Sequence, residues 1–111
     1  MNATSLGKRV RDAIGGSDVL VIASTDFSHY IPKDLAARKD RMAIDKILAF
    51  DVKGFDGTVR RHDISMCGYG PVTAMMTAVG SGTPEFLKYA SSGDVTPMTE
   101  VVGYCSVTIR R

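Results

Sequence analysis

The chain has 111 residues, 44% of them apolar and 23% charged, with a formal net charge of +2. That balance suits one globular domain over residues 1–111 with a core of its own. Lys and Arg are interleaved with Asp and Glu, no apolar run nears the ~20 residues of a membrane span, and Cys67 and Cys105 make no disulfide framework, which argues against a nucleic-acid surface, a spanning helix and a secreted disulfide scaffold. The first residues lack the apolar core of a secretory signal, so a reducing, cytoplasmic location is expected.

Thr4 or Ser5 is placed to cap a first helix from about Leu6 to Ile14, whose Leu6, Val10 and Ile14 share one face. Gly15 and Gly16 end it. The unbroken apolar run Val19 to Ala23 predicts a strand, Val19 to Ser24, buried on both faces as in a parallel sheet. The chain turns polar at Asp26, Ser28 and His29, where that strand ends. Tyr30-Ile31-Pro32 is expected to be extended, because a residue before proline avoids the helical region.

Helical spacing of Leu35, Met42, Ala43, Ile47 and Leu48 predicts a long helix from about Asp34 to Phe50. Arg38, Lys39, Asp40, Arg41, Asp45 and Lys46 read as its solvated face. Asp51 is the expected N-cap of a short helix, Val52 to Arg61, which Gly54 and Gly57 weaken. Gly68, Gly70 and Pro71 mark a tight turn into a further helix through Val72, Met75, Met76 and Val79, ended by Gly80 and Gly82. Glu85 to Ala90 reads as a strand, Ser91 to Pro97 as a loop and Val101 to Ile109 as a last strand with one more apolar face. The fold class is therefore a layered α/β domain, a small mixed sheet flanked by helices. Three strands make a small sheet, so part of it is expected from elsewhere.

In open α/β sheets ligands lie beyond the carboxyl ends of the strands. His29 there suits an acid/base or a metal ligand, with Asp26 orienting its ring or binding alongside. The plainer alternative has Asp26 or Ser28 capping the turn and His29 half-buried as filler. Cys67 precedes a glycine turn and a helix start, where a helix N-terminus favours the thiolate that binds metal; its plainer reading is a small apolar residue. His62 reads as a surface residue near a helix end and Cys105 as core. The Tyr89–Asp94 segment ends a strand in polar groups and can face the same rim as His29. One His and one Cys suit Fe, Cu or Zn better than Mg or Ca, but two ligands do not close a site.

The run Val21-Ile22-Ala23-Ser24-Thr25-Asp26-Phe27-Ser28-His29-Tyr30 resembles the ASSDFSHY signature of the Memo-like family, also labelled AmmeMemoRadiSam system protein B. The resemblance continues through Asp40-Arg41-Met42-Ala43-Ile44, Met66-Cys67-Gly68-Tyr69-Gly70-Pro71, Lys88 to Thr96 and Val101-Val102-Gly103-Tyr104, in the family's order. It implies a fold similar to the class III extradiol dioxygenases, which are non-haem iron enzymes. It implies His29 and Cys67 as metal-site residues, with Asp26 beside them. Some family members are implicated in phosphotyrosine-peptide binding, a copper-dependent redox role has been proposed, and the bacterial and archaeal gene neighbourhood implies AMMECR1-like and radical SAM proteins as partners.

The resemblance covers only the C-terminal portion of the family's length. The absent N-terminal half carries a HAGY-like motif, further His ligands and core strands. The expectation is thus a C-terminal Memo-like domain, Met1 starting near the join, that contributes His29 and Cys67 to a redox-capable Fe, Cu or Zn pocket incomplete in this chain alone. Either a homo-oligomer or a chain supplying the missing half would complete it. The alternative is a non-catalytic peptide- or protein-binding assembly module; whether the domain is an enzyme stays open.

Overall fold

The computed structural model describes residues 2–111; Met1 lies outside them. Along the chain come α1 (Ala3–Ile14), β1 (His29–Ile31), α2 (Lys33–Leu48), α3 (Val52–Arg61), α4 (Tyr69–Val79), β2 (Thr83–Ser91), a 3₁₀ turn (Ser92–Asp94) and β3 (Val101–Arg110). The three strands form one sheet in the order β1-β3-β2. This is a layered α/β arrangement in which α2 lies against the sheet, α3 and α4 follow behind it, and α1 packs on α4.

The sheet is antiparallel throughout rather than mixed. The parallel strand expected at Val19–Ser24 belongs to no ladder. Its side chains are largely in solvent: Val19 is 53%, Leu20 85% and Ile22 76% exposed. The physical reason is that no described strand lies along either edge of this run. It shares shallow clefts with Met75 and Val79 of α4 and Val107 and Ile109 of β3, and its outer side is bare. The radius of gyration, 14.4 Å, exceeds the about 13 Å expected of a compact domain of this length.

Elsewhere local chemistry sets the boundaries. The cap of α1 is Asn2, not Thr4 or Ser5, because the Asn2 side chain accepts from the Ser5 backbone N–H at 2.8 Å. Gly7 brings α1 against α4: a Cβ there would lie 2.6 Å from both Ala74 O and Thr77 Cβ. The Arg11 guanidinium donates to Thr77 O in the last turn of α4, where cations are favoured. α2 stops short of the expected Phe50, which sits at φ 53° in the left-handed region that breaks a helix. α3 begins as expected, with Asp51 accepting from Gly54 N–H at 2.9 Å. Gly54 weakens the helix interior but leaves room for the cap, since a Cβ there would meet the Asp51 carboxylate at 2.0 Å and displace it.

α4 is apolar nearly all round and is correspondingly buried, between α1, α3 and the stretch before β1. The core is Phe27, Ile44, Ile47, Phe55, Met66 and Met76 with their neighbours, covered on the sheet side by Phe86, Tyr89, Cys105 and Val107. Burying each large side chain stabilises the fold by about 1.5–3 kcal/mol. β3 alternates as its sequence predicts: Val101 and Gly103 are buried, and Tyr104, Ser106 and Thr108 are exposed.

Candidate metal centre

Phe27 is the anchor from which the polar end of the 19–29 stretch is built. Its ring is buried in the core, its N–H donates to Gly103 O at 2.8 Å, and Gly103 N–H donates to Ser28 O at 2.9 Å. The backbone at residues 27–28 is thereby tied to β3. His29 then pairs with Val102 as β1 begins. Tyr30, at φ 54°, is the extra residue of a bulge in that pairing, a strained conformation for a bulky side chain.

His29 is held at two points by one residue. Its N–H donates to Ser65 Oγ at 2.7 Å, and its ring Nδ1 bonds the Ser65 carbonyl. A carbonyl only accepts, so Nδ1 carries a proton, and in the neutral ring it is Nε2 that offers the lone pair. Nε2 lies 3.6 Å from Asp26 Oδ2. A histidine that donates one ring N–H to a backbone carbonyl and presents the other nitrogen is the arrangement usual for metal ligands.

Cys67 arrives from the other side, exposed, just before the N-cap Gly68 of α4. Thr25 ties the two sides together. Its hydroxyl donates to Asp26 O at 2.6 Å, accepts from Gly68 N–H at 2.8 Å and lies 3.6 Å from Cys67 Sγ. Gly68 is needed for this approach, since a Cβ would stand 2.5 Å from Thr25 Cβ.

Asp26, His29 and Cys67 thus each offer one donor atom, all within 4.8 Å of one another. Donors around one tetrahedral ion stand roughly 3.3–3.8 Å apart by their bond lengths, so small side-chain rotations close the group. Carboxylate oxygen, neutral imidazole nitrogen and sulfur fit Fe, Cu or Zn and fit Mg or Ca poorly. The Asp26 and His29 side chains are 48% and 26% exposed, so the group opens to solvent and leaves coordination positions free.

Other expectations resolve differently. Neither Asp26 nor Ser28 caps α2, whose N-cap is Pro32 with no side-chain bond. His62 is an exposed C-cap residue of α3, and Cys105 lies half-buried in β3, packed against the core. Burial pushes the Cys105 thiol up to about 11, helped by the nearby Asp40. Asp40 departs most from expectation. It does not belong to the solvated face of α2 but is fully buried. Its Oδ1 accepts from Ser28 N–H at 3.0 Å and Ser28 Oγ at 2.6 Å, and its Oδ2 accepts from Tyr89 Oη at 2.5 Å. Burial, then that bond, push the Tyr89 phenol well above its usual range. The signal was in the spacing: Ala36, Asp40, Ala43, Ile44 and Ile47 form one helical stripe on which Asp40 is the lone charge. Ser65 and Thr25 carried no such signal, since their roles depend on long-range contacts.

A family model described as Memo-like protein matches residues 1–108. A MEMO1 family protein of Methanopyrus kandleri is 44% identical over 115 residues, covering 98% of this chain and 41% of the relative. One from Methanothermobacter thermautotrophicus is 45% identical over 112 residues, covering 96% and 40%. One from Methanosarcina mazei is 41% identical over 113 residues, covering 96% and 42%. The chain therefore spans about two fifths of the length of these curated relatives.

Proposed function

The chain belongs to the Memo-like family, and from that premise we propose that Asp26, His29 and Cys67 are its contribution to an Fe, Cu or Zn centre in a redox-capable pocket completed by further polypeptide. The observation that carries this reading is the convergence of three chemically different donors within 4.8 Å. His29 is set for the task by its Ser65 bonds, and Asp26 and Cys67 are set by Thr25. Such a metal, when bound, supplies a Lewis acid and, if it is Fe or Cu, a one-electron couple. The chain's own residues would hold it, orient the imidazole and leave one side open to a ligand.

The completing polypeptide is argued from the other end of the same stretch. Val19, Leu20 and Ile22 present apolar surface with no ladder partner. The relatives carry more than half their length beyond the matched part. The proposed occupant of this face is a segment equivalent to that additional length, adding strands beside Val19–Ala23. A second copy of this chain is the competing outcome.

Titrating the purified chain with Co2+ or Zn2+ tests the first half of the reading. Native mass spectrometry should find one metal per chain, lost in the His29→Ala/Cys67→Ala double variant. Unchanged uptake in that variant would rule the reading out. A chain that takes no metal yet self-associates, and stops doing so in Ile22→Asp, would favour the assembly module instead. No described helix is long and apolar enough to cross a membrane.

A further inference from the structure

We propose that Asp40 is a positioning residue for the Asp26–His29–Cys67 group, acting through Ser28; this rests on reading that group as a metal centre. Asp40 is wholly buried and forms no ion pair among the described residues. Its carboxylate is held by neutral donors alone, which is a costly way to bury a charge. An apolar residue would fill that place on the α2 stripe more cheaply, so core packing does not account for it.

The bonds it makes do. Oδ1 takes both the backbone N–H and the hydroxyl of Ser28, itself fully buried. The next residue is His29. With Gly103 N–H on the Ser28 carbonyl, the peptide groups flanking Ser28 are fixed from two sides. The strained Tyr30 follows His29, so rotation at Ser28 is what would swing the imidazole away from Asp26 and Cys67. Tyr89 Oη holds the other carboxylate oxygen, fixing the clamp itself. Gly103 completes the fit: a Cβ there would stand 2.1 Å from Asp40 Oδ2 and 2.5 Å from Tyr89 Oη. Four segments, the 25–29 loop, α2, β2 and β3, converge on this one carboxylate.

The test compares Asp40→Ala, Asp40→Asn and Gly103→Ala in the 111-residue chain, with Ile44→Val as a core control. The probes are Co2+ affinity, read from the thiolate-to-cobalt absorption, and the His29 tautomer, read by 15N NMR without metal. Asp40→Ala should weaken Co2+ binding by about ten- to a hundred-fold and mix the tautomers. Asp40→Asn should restore most of the affinity, because the amide oxygen still accepts from both Ser28 donors while Tyr89 turns to accept. Gly103→Ala, which displaces the carboxylate without deleting it, should resemble Asp40→Ala. Ile44→Val should lower stability and leave both probes unchanged.

Folded Asp40→Ala and Gly103→Ala proteins with wild-type affinity and an unshifted Nδ1–H signal would overturn the proposal. Asp40→Asn behaving like Asp40→Ala would overturn it too. If Asp40→Ala does not fold, Gly103→Ala and Ser28→Ala decide by the same probes. Should the wild-type chain take up no Co2+, the metal reading fails, and the tautomer measurement still decides whether Asp40 positions His29.

Discussion

From Thr25 to His29 the chain's polar groups find partners on four other segments, and the one large apolar side chain, Phe27, is in the core. From Val19 to Ala23, a few residues earlier, the backbone joins no ladder and three large apolar side chains face solvent. The hydrogen bonds that hold the first region are made within this chain, to Gly103, Asp40, Ser65 and Gly68. The second has the composition of a sheet interior with nothing along its edges. The contrast teaches that the end carrying Asp26 and His29 is held in place by contacts within this chain, independently of whatever covers the apolar end.

The sharpest way to break this comparison is a pair of truncations. Phe27→Ala should cost about 3–5 kcal/mol in a denaturant melt of the isolated chain, whereas Ile22→Ser should change stability by no more than about 0.5 kcal/mol. Equal losses would mean that the apolar run is buried in solution. Next in size is assembly. If further polypeptide covers the run, Ile22→Asp should abolish association in sedimentation while Co2+ uptake by the chain persists.

A smaller and faster contrast lies in the two thiols. Cys67 is exposed, while Cys105 is half-buried with its pKa pushed up to about 11, so maleimide at neutral pH should label Cys67 well before Cys105, and bound metal should protect Cys67. The smallest effect concerns the solvent-exposed pair Lys33–Asp94, 2.5 Å apart. The Lys33 ammonium, with the Ser91 N–H, holds the Asp94 carboxyl below its usual 3.8. A carboxyl depressed on folding contributes stability that is present above the unfolded value and lost as pH falls through the folded one. Comparing wild type with Asp94→Asn between about pH 5 and pH 2 should therefore show a slight excess acid lability of the wild type, and added salt should erase it.

Much of this was legible in the sequence. The helices, the last two strands and the Asp51 cap follow from spacing and capping chemistry, which are local. Asp26, His29 and Cys67 stand out by residue type and by their place beside turns, and the structure brings all three together. What could not be read locally is what long-range contact decides. Val19–Ala23 has a strand's composition, but a strand exists only where a neighbour supplies hydrogen bonds. Asp40 sits among charged residues in sequence, and only the α2 stripe, once folded against Ser28 and Tyr89, takes it inside.

The central claim is that one carboxylate, one imidazole and one thiolate of this chain share a single metal ion. X-ray absorption at the metal edge of the Zn2+- or Co2+-loaded chain tests it most directly. The account predicts one sulfur at about 2.3 Å among nitrogen and oxygen donors at about 2.0 Å, the sulfur disappearing in Cys67→Ser and a nitrogen in His29→Ala. A shell of nitrogen and oxygen alone, or one unaltered by those substitutions, would contradict it.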